Sequence, residues 1–274
     1  MKKGWVFPFD KGRLSKVLIL TEGGKGIGYG HITRNLGLIH YLKEFGIEPI
    51  LMVRGSDINN LFLEGEKYIL NDWLQEDIFD LIDKDALVFV DSYFADLNFY
   101  RRISDKSEKL IIYDDYGRLK YDVGYILNPV VEHDFYSGYN KVLMGEDYIF
   151  LRKAFWYIKE KRGTNDKKNI LITLGGNPPK DLIKYIVNKI DSDKKITIIS
   201  EPIDGVNAEF TGYCNSYRLA EVMQKADLAI SAGGQTLHEL YKLGIETYVL
   251  KISENQKYVI EFYIKKGFKK FEEF

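Results

Sequence analysis

With 274 residues, 39 Lys+Arg against 40 Asp+Glu and 45% hydrophobic residues, the chain has a net charge of −1 and enough apolar material for a sizeable core. This excludes a disordered chain, and the charge balance offers no basic face to nucleic acid. The single cysteine, Cys214, excludes an intrachain disulfide and a cysteine zinc site and suits a reducing cytoplasm, and no apolar run reaches the ~20 residues of a membrane span.

The chain opens on Met1–Asp10, where Trp5, Phe7 and Phe9 are interrupted by Pro8 and Asp10. That stretch is too short for a signal peptide. Residues 1–15 read as an extension ahead of the first strand, with a peripheral membrane foot as the less favoured alternative. Lys16–Leu20 predicts a buried strand and Ile32–Phe45 a helix with Leu38, Leu42 and Phe45 on one face. Strands follow at Glu48–Val53, Ala86–Val90, Leu110–Tyr113 and Gly124–Leu127, the rhythm of a doubly wound parallel sheet. Residues 1–153 therefore form an N-terminal Rossmann-like domain. The charged stretch Ala154–Lys168, with Gly163-Thr164-Asn165-Asp166, is the linker. A second series runs through strands at Asn169–Leu174, Lys195–Ser200, Asp227–Ser231 and Thr247–Ile252, with helices at Tyr217–Lys225, Gln235–Lys242 and Glu254–Lys266. Residues 169–274 are the second domain. The predicted class is α/β, two similar domains with parallel sheets facing a cleft.

In such sheets ligands sit beyond the carboxyl ends of the strands. After the first strand, Gly26, Gly28 and Gly30 space out G-x-G-x-G and open a helix, a place for an anion. The spacing is neither the dinucleotide fingerprint nor a P-loop, and Arg54 follows the second strand where a dinucleotide site needs an acid. His31 stands where this loop becomes a helix, a position that disfavours an imidazolium and suits a base; capping or packing of a turn is the alternative. Later strands end in Asp91-Ser92-Tyr93, Asp114-Asp115-Tyr116 and Asn128-Pro129. Singly these read as turn chemistry; with His31 on the same edge they read as a polar site. Asp91, Asp114 and Asp115 around a divalent ion is a lesser alternative, and a metal-free site is preferred. In the second half, Gly175-Gly176 and Gly233-Gly234 each end a strand ahead of a helix and suit a diphosphate. Glu239, one turn after Thr236, can accept hydrogen bonds from a ribose diol, or complement the helix dipole or pair with a cation. His238 reads as packing or surface, and Ser253 with Gln256 as a capping box.

Gly28-x-Gly30-His31-x-x-Arg34, Gly145-x-x-Tyr148-x-x-Leu151-Arg152-x-x-Phe155, Gly175-Gly176, Ser231-Ala232-Gly233-Gly234-x-Thr236-x-x-Glu239 and Asn255-Gln256, in this order, resemble a known family. It is that of the UDP-2,4-diacetamido-2,4,6-trideoxy-β-L-altropyranose hydrolases of pseudaminic acid biosynthesis, grouped with spore-coat polysaccharide proteins. The resemblance runs from Lys16 onward. Its C-terminal motif is shared with the glycosyltransferase that makes lipid II, so it specifies UDP-sugar binding better than reaction. The resemblance implies a GT-B fold, with UDP mainly on the C-terminal domain and the sugar against the N-terminal one. It implies that His31 is the base that activates water for inverting attack at the anomeric carbon, and that Tyr93 is a site tyrosine. Substrate contacts would come from Gly28, Gly30, Arg34, Asp91, Arg152, Gly175, Gly176, Gly233, Gly234, Thr236, Glu239, Asn255 and Gln256. No cofactor or metal is implied. The partner is a UDP-sugar, and Rossmann-type domains can act as a monomer. The family's Arg-x-Asp after the first strand has no counterpart here: the matching stretch is Thr21-Glu22-Gly23. Another nucleotide-activated diamino sugar is therefore open as substrate. The competing readings are a glycosyltransferase of the same fold and a catalytically silent UDP-sugar-binding subunit.

Overall fold

The computed structural model describes residues 8–10, 12, 14–75, 77–130, 134–161, 167–176 and 178–274. Trp5, Phe7, His133, Asn177 and the Gly163–Asp166 part of the predicted linker lie outside the described residues. The chain divides into two compact units: residues up to Ile27 with His31–Phe150, and Gly28–Gly30 with Leu151–Phe274.

The first unit carries a seven-stranded sheet. Its strands are β1 (Val17–Gly24), β2 (Ile50–Ser56), β3 (Ile69–Leu70), β4 (Leu87–Asp91), β5 (Leu110–Tyr113), β6 (Tyr125–Asn128) and β7 (Val142–Met144), with helices α1 (Gly30–Lys43) and α2 (Leu97–Ser104). The order is β3-β2-β1-β4-β5-β6-β7, with every pair parallel. Alternate residues Leu18, Leu20, Met52, Val88, Val90, Leu110, Ile112 and Ile126 share one core with Trp73, Phe99, Tyr100 and Ile103, as the two-residue period of a strand requires. The intervening residues Val17, Ile19 and Phe89 are buried too. Burial on both faces explains why these strands read as unbroken apolar runs.

The second unit carries β8 (Asn169–Thr173), β9 (Lys195–Ile198), β10 (Glu209–Phe210), β11 (Leu228–Ala232), β12 (Glu246–Leu250) and β13 (Lys269–Lys270), with α3 (Lys180–Val187), α4 (Ser216–Lys225), α5 (Thr236–Leu243) and α6 (Lys257–Lys265). These strands are also all parallel, in the order β10-β9-β8-β11-β12-β13. Ile170, Ile172, Ile196, Ile198, Leu228 and Ile230 pack there on Ile183 and Ile186 of α3. In each unit the strand order reverses beside the first strand, between β1 and β4 and between β8 and β11. Those are the topological switch points at which open α/β sheets bind ligands.

The predicted strands and helices fall on observed elements, but α2 and α3 lie where the sequence reading names no helix, and Phe45, placed on the apolar face of the first helix, lies beyond its end at Lys43 and is exposed. Three further differences concern the edge strands, the linker and β1. The two- and three-residue edge strands β3, β7, β10 and β13 are too short to show a period. The stretch Ala154–Lys161 is built into the second unit: Phe155 is fully buried, and the Lys161 ammonium donates to the Ala226 carbonyl at 2.6 Å and to Asp227 at 2.9 Å. Strand β1 runs on through Thr21–Gly24, which the sequence presents as loop, pairing Gly23 with Gly55 and Gly24 with Ser56. Glycine makes that ribbon possible. A Cβ on Gly55 (φ +150°) would lie 1.9 Å from the Gly23 carbonyl oxygen, and one on Gly24 (φ +101°) 2.1 Å from that of Ser56. Ahead of β1, the Phe9 ring packs edge-on to Tyr125 at 5.1 Å and the Ser15 hydroxyl donates to Asp83 at 2.7 Å, so this part of the extension is anchored.

Because backbone rather than a side chain occupies the space, Gly55→Ala is expected to destabilise the chain by about 1–3 kcal/mol in denaturant unfolding; Gly138→Ala, at φ +81° with open space around it, controls for the backbone-conformation part of that loss.

Candidate active site

The first unit places a histidine at its switch point. His31 is the second residue of α1, and Asp91 is the last residue of β4. His31 Nδ1 lies 2.7 Å from Asp91 Oδ1. One turn along the helix, Arg34 grips the same carboxylate with both edges of its guanidinium, Nε donating to Oδ2 at 2.6 Å and Nη2 to Oδ1. Asn35 Nδ2 adds a third donor to Oδ2 at 2.8 Å and also reaches Thr21 Oγ1 and the His31 carbonyl. His31, Arg34, Asn35 and Asp91 are all buried. Residues three and four apart on a helix share a face, so His31, Arg34 and Asn35 converge on one strand end.

Burial pushes Asp91 toward protonation. The Arg34 charge, with the hydrogen bonds from Arg34 and His31, outweighs it and holds the carboxyl well below the usual aspartate range. Nδ1 has two neighbours, Asp91 Oδ1 at 2.7 Å and Arg34 Nη2 at 2.8 Å; Oδ1, being ionised, can only accept, and Nη2 already donates to it, so the imidazole proton is assigned to Nδ1 and the lone pair to Nε2. Among the described residues Nε2 makes no hydrogen bond; the nearest acid oxygen is Glu22 Oε1 at 3.8 Å.

Tyr93 packs edge-on against His31, ring centroids 4.3 Å apart, and its hydroxyl donates to Asp115 Oδ2 at 3.1 Å. Arg34 Nη1 donates to the same oxygen at 3.0 Å, and its guanidinium lies over the Tyr113 ring at 4.1 Å. Asp114 turns away and accepts backbone N–H groups of Tyr116, Gly117 and Arg118; burial pushes its carboxyl up. Asn128 bonds Tyr136 and the Val130 backbone. So the strand-end acids split: Asp91 and Asp115 join His31, whereas Asp114 and Asn128 do turn work. A cavity of about 380 Å³ beside β1 and β2 is lined by Lys25, Arg54, Ser56, Leu70 and Asp72 among others. Arg54, the register partner of Glu22, donates to Asp72 at 2.8 Å there.

In the second unit Gly175 (φ +91°) ends β8, and Gly233 and Gly234 lead from β11 into α5. A Cβ on Gly233 would meet Ile260 and Gln256 of the neighbouring segment at 2.7 and 2.8 Å. Thr236 starts α5 and is half-buried. Glu239, in the first turn, is fully buried and takes a two-pronged grip from Arg152, Nε to Oε1 at 2.7 Å and Nη2 to Oε2 at 2.8 Å. Its partner is thus an internal cation, and the carboxylate does not stand open to a diol. Gln256 accepts from the Ile252 and Ser253 N–H groups in a capping box, and Asn255 Oδ1 accepts from the Ser253 hydroxyl at 2.5 Å. His238 is packing, 2.5 Å from the Tyr263 hydroxyl.

Of the predicted site residues, the structure brings together His31, Arg34, Asp91 and Tyr93 in one unit. Arg152 joins Glu239 in the other. Arg34 and Asp91 face each other rather than solvent, and so brace the histidine. Glu22 and Asn35 are the members that sequence reasoning missed. Asn35 had a signal, four residues after His31; Glu22 had one in the strand alternation Leu18, Leu20, Glu22.

Two Rossmann-like units with these strand orders make the GT-B fold. Among solved structures, the chain is similar to Acinetobacter baumannii MurG (TM-score 0.61, 13% identity, covering 93% of this chain and 85% of that one). It is likewise similar to the S. aureus MnaA–UDP structure (TM-score 0.58, 14% identity, 90% and 82%). No family model matches the chain. In sequence it is 28% identical, over 92% of its length, to an uncharacterized protein of Methanocaldococcus jannaschii. It is 25% identical over 91% to the pseudaminic acid cytidylyltransferase and UDP-2,4-diacetamido-2,4,6-trideoxy-β-L-altropyranose hydrolase of Helicobacter pylori. The chain spans only 58% and 46% of those two relatives. The UDP-2,4-diacetamido-2,4,6-trideoxy-β-L-altropyranose hydrolase of Campylobacter jejuni is 24% identical over 92% of this chain and 97% of its own length. The resemblance carried by the motifs is thus the one found over whole sequences. Among the described residues no helix is long and apolar enough to cross a membrane.

Two outcomes follow from the buried ion pairs. Asp91 contributes stability fully above its unfolded value of about 3.9 and loses that contribution as pH falls below it. Asp91→Asn should therefore be less stable than the parent at neutral pH, with the gap narrowing below pH ~4 in unfolding followed by circular dichroism. Arg152→Met leaves the Glu239 charge buried and unpaired and should cost about 3–5 kcal/mol by the same measurement.

Proposed function

We propose that the chain is a metal-independent hydrolase of a UDP-linked 2,4-diacetamido-2,4,6-trideoxyhexose, acting in pseudaminic-acid-type nonulosonate biosynthesis. The observation that carries the reading is His31, with Nδ1 held at 2.7 Å by an ionised Asp91 and Nε2 left to accept a proton. In the proposed reaction water loses a proton to Nε2 as its oxygen bonds to the anomeric carbon. The bond from that carbon to the diphosphate oxygen breaks, with its electron pair leaving on UDP. Asp91 keeps the imidazole in the required tautomer and faces the imidazolium that forms. Arg34 holds Asp91 ionised. Tyr93 walls the imidazole and turns its hydroxyl to the Arg34–Asp115 pair.

UDP is itself a good leaving group, so little acid catalysis is needed at its oxygen. In the second unit the loops at Gly175-Gly176 and Gly233-Gly234, with Thr236 at the start of α5, would take the diphosphate on backbone N–H groups. Asn255 would make a further polar contact. Glu239 and Arg152 support that loop from beneath, since both are buried and spent on each other. Names of the Helicobacter and Campylobacter relatives support the substrate class.

The test is release of UDP from purified protein in EDTA with no acceptor, using UDP-2,4-diacetamido-2,4,6-trideoxyaltrose, with UDP-N-acetylglucosamine for comparison. His31→Asn should lower kcat by about 10²–10⁴-fold, the range for a positioned base, while calorimetry shows UDP binding retained. Unchanged turnover in that variant would reject His31 as base. UDP binding without any release would move the reading to a transferase or a silent binding subunit.

A further inference from the structure

The geometry points to Glu22 as the residue that orients the attacking water, together with His31. This rests on the hydrolase reading.

Glu22 sits on β1 beyond Leu20 and is fully buried. A buried carboxylate persists only when its oxygens are bonded. Oε1 accepts the Tyr93 N–H at 2.6 Å and Oε2 the Ser92 hydroxyl at 2.9 Å. These bonds fix the carboxylate and turn Oε1 toward His31 Nε2 at 3.8 Å. That separation is too long for a hydrogen bond, which needs about 2.7–3.2 Å. Since Nδ1 carries the imidazole proton, the two facing atoms are both acceptors: a nitrogen lone pair and an anionic oxygen. Two acceptors that face one another call for a partner with two hydrogens to give. Water is such a partner, and it is also the second substrate of the proposed reaction.

A water bound this way gives one hydrogen to Nε2 and the other to Oε1, which turns its lone pairs away from both, toward the electrophile. In the reacting step the O–H bond aimed at Nε2 breaks and the proton stays on the nitrogen. The oxygen pair forms the bond to the anomeric carbon, and the hydrogen held by Glu22 remains on the new hydroxyl. Glu22 gains no proton. It fixes direction, and it then lies opposite the new Nε2–H with its negative charge. Without it the water keeps one anchor and is free to turn about that hydrogen bond.

The experiment uses the full chain with Glu22→Met, which removes both oxygens at similar length, and Glu22→Gln, whose amide keeps a carbonyl oxygen for the Tyr93 N–H and for the water; the thermal midpoint checks folding. In the UDP-release assay Glu22→Met should lose about 10–100-fold in kcat with KM within about twofold, the signature of lost orientation rather than lost binding. Glu22→Gln, which keeps an acceptor facing Nε2 without the charge, should recover part of the loss. A high-resolution crystal structure of the parent chain should show an ordered water within hydrogen-bond distance of both His31 Nε2 and Glu22 Oε1. An active parent with kcat unaffected in Glu22→Met overturns the role of Glu22 alone. So does a direct Nε2–Oε1 hydrogen bond in place of the water. A parent that releases no UDP overturns the hydrolase reading, and this one with it.

Discussion

The two-pronged grip of Arg34 on Asp91 is the constraint on which the first unit's site depends. Both residues are buried, so neither charge can be left without the other. The pair joins the second turn of α1 to the end of β4, across the point where the strand order reverses. Once that distance is fixed, His31 has one place to go, three residues before Arg34 on the same helix face. Such a pair contributes little net stability, because desolvation offsets most of the attraction. What it confers is geometry: an orienting carboxylate whose charge is settled by its partner rather than by solvent.

The second unit uses the same device for another end. Arg152, ahead of β8, closes on Glu239 in the first turn of α5. The pair ties the segment entering the unit to the helix that follows the Gly233-Gly234 loop. Gly233 has no room for a side chain, since a Cβ there would lie 2.7 Å from Ile260, whereas Gly234 beside it has open space. The ion pair and the close packing of Gly233 on Ile260 thus fix the entry of α5 from two sides.

How far this was legible follows from which interactions are local. The long strands were visible because Leu18, Ile19 and Leu20, or Ile170, Leu171 and Ile172, are buried on both faces and read as runs. The extension of β1 through Gly23 and Gly24 was hidden, because glycines have no side-chain period and only their pairing with Gly55 and Ser56 makes them strand. His31 stood out at the junction of a glycine loop and a helix. The capping box of Ser253 and Gln256 was legible because its parts lie three residues apart. The partner of Glu239 was not, since Arg152 is 87 residues away and no spacing rule spans that interval. For the same reason Arg34 and Asp91 could be placed near a site by motif, while their turning toward each other needed the fold.

Asp91, Ser92 and Tyr93 show how few residues the arrangement needs. Where β4 ends, neighbouring residues serve opposite sides of the imidazole. Asp91 takes Nδ1. The Ser92 hydroxyl donates to Glu22 while accepting the N–H groups of Phe94 and Ala95, so the serine that holds the carboxylate is itself held by the turn. The Tyr93 backbone donates to the other oxygen of Glu22, and its ring closes on His31. One tripeptide therefore sets the carboxylate behind Nδ1, the carboxylate opposite Nε2 and the aromatic wall beside the ring. Glu22 in turn has to be long enough to reach from β1 to both donors, which satisfies both of its oxygens in a dry place. A shorter side chain would release the Ser92 turn, and a neutral apolar one would leave the Tyr93 N–H without an acceptor. The strand ends and the turn are thus held by the same bonds that orient the imidazole.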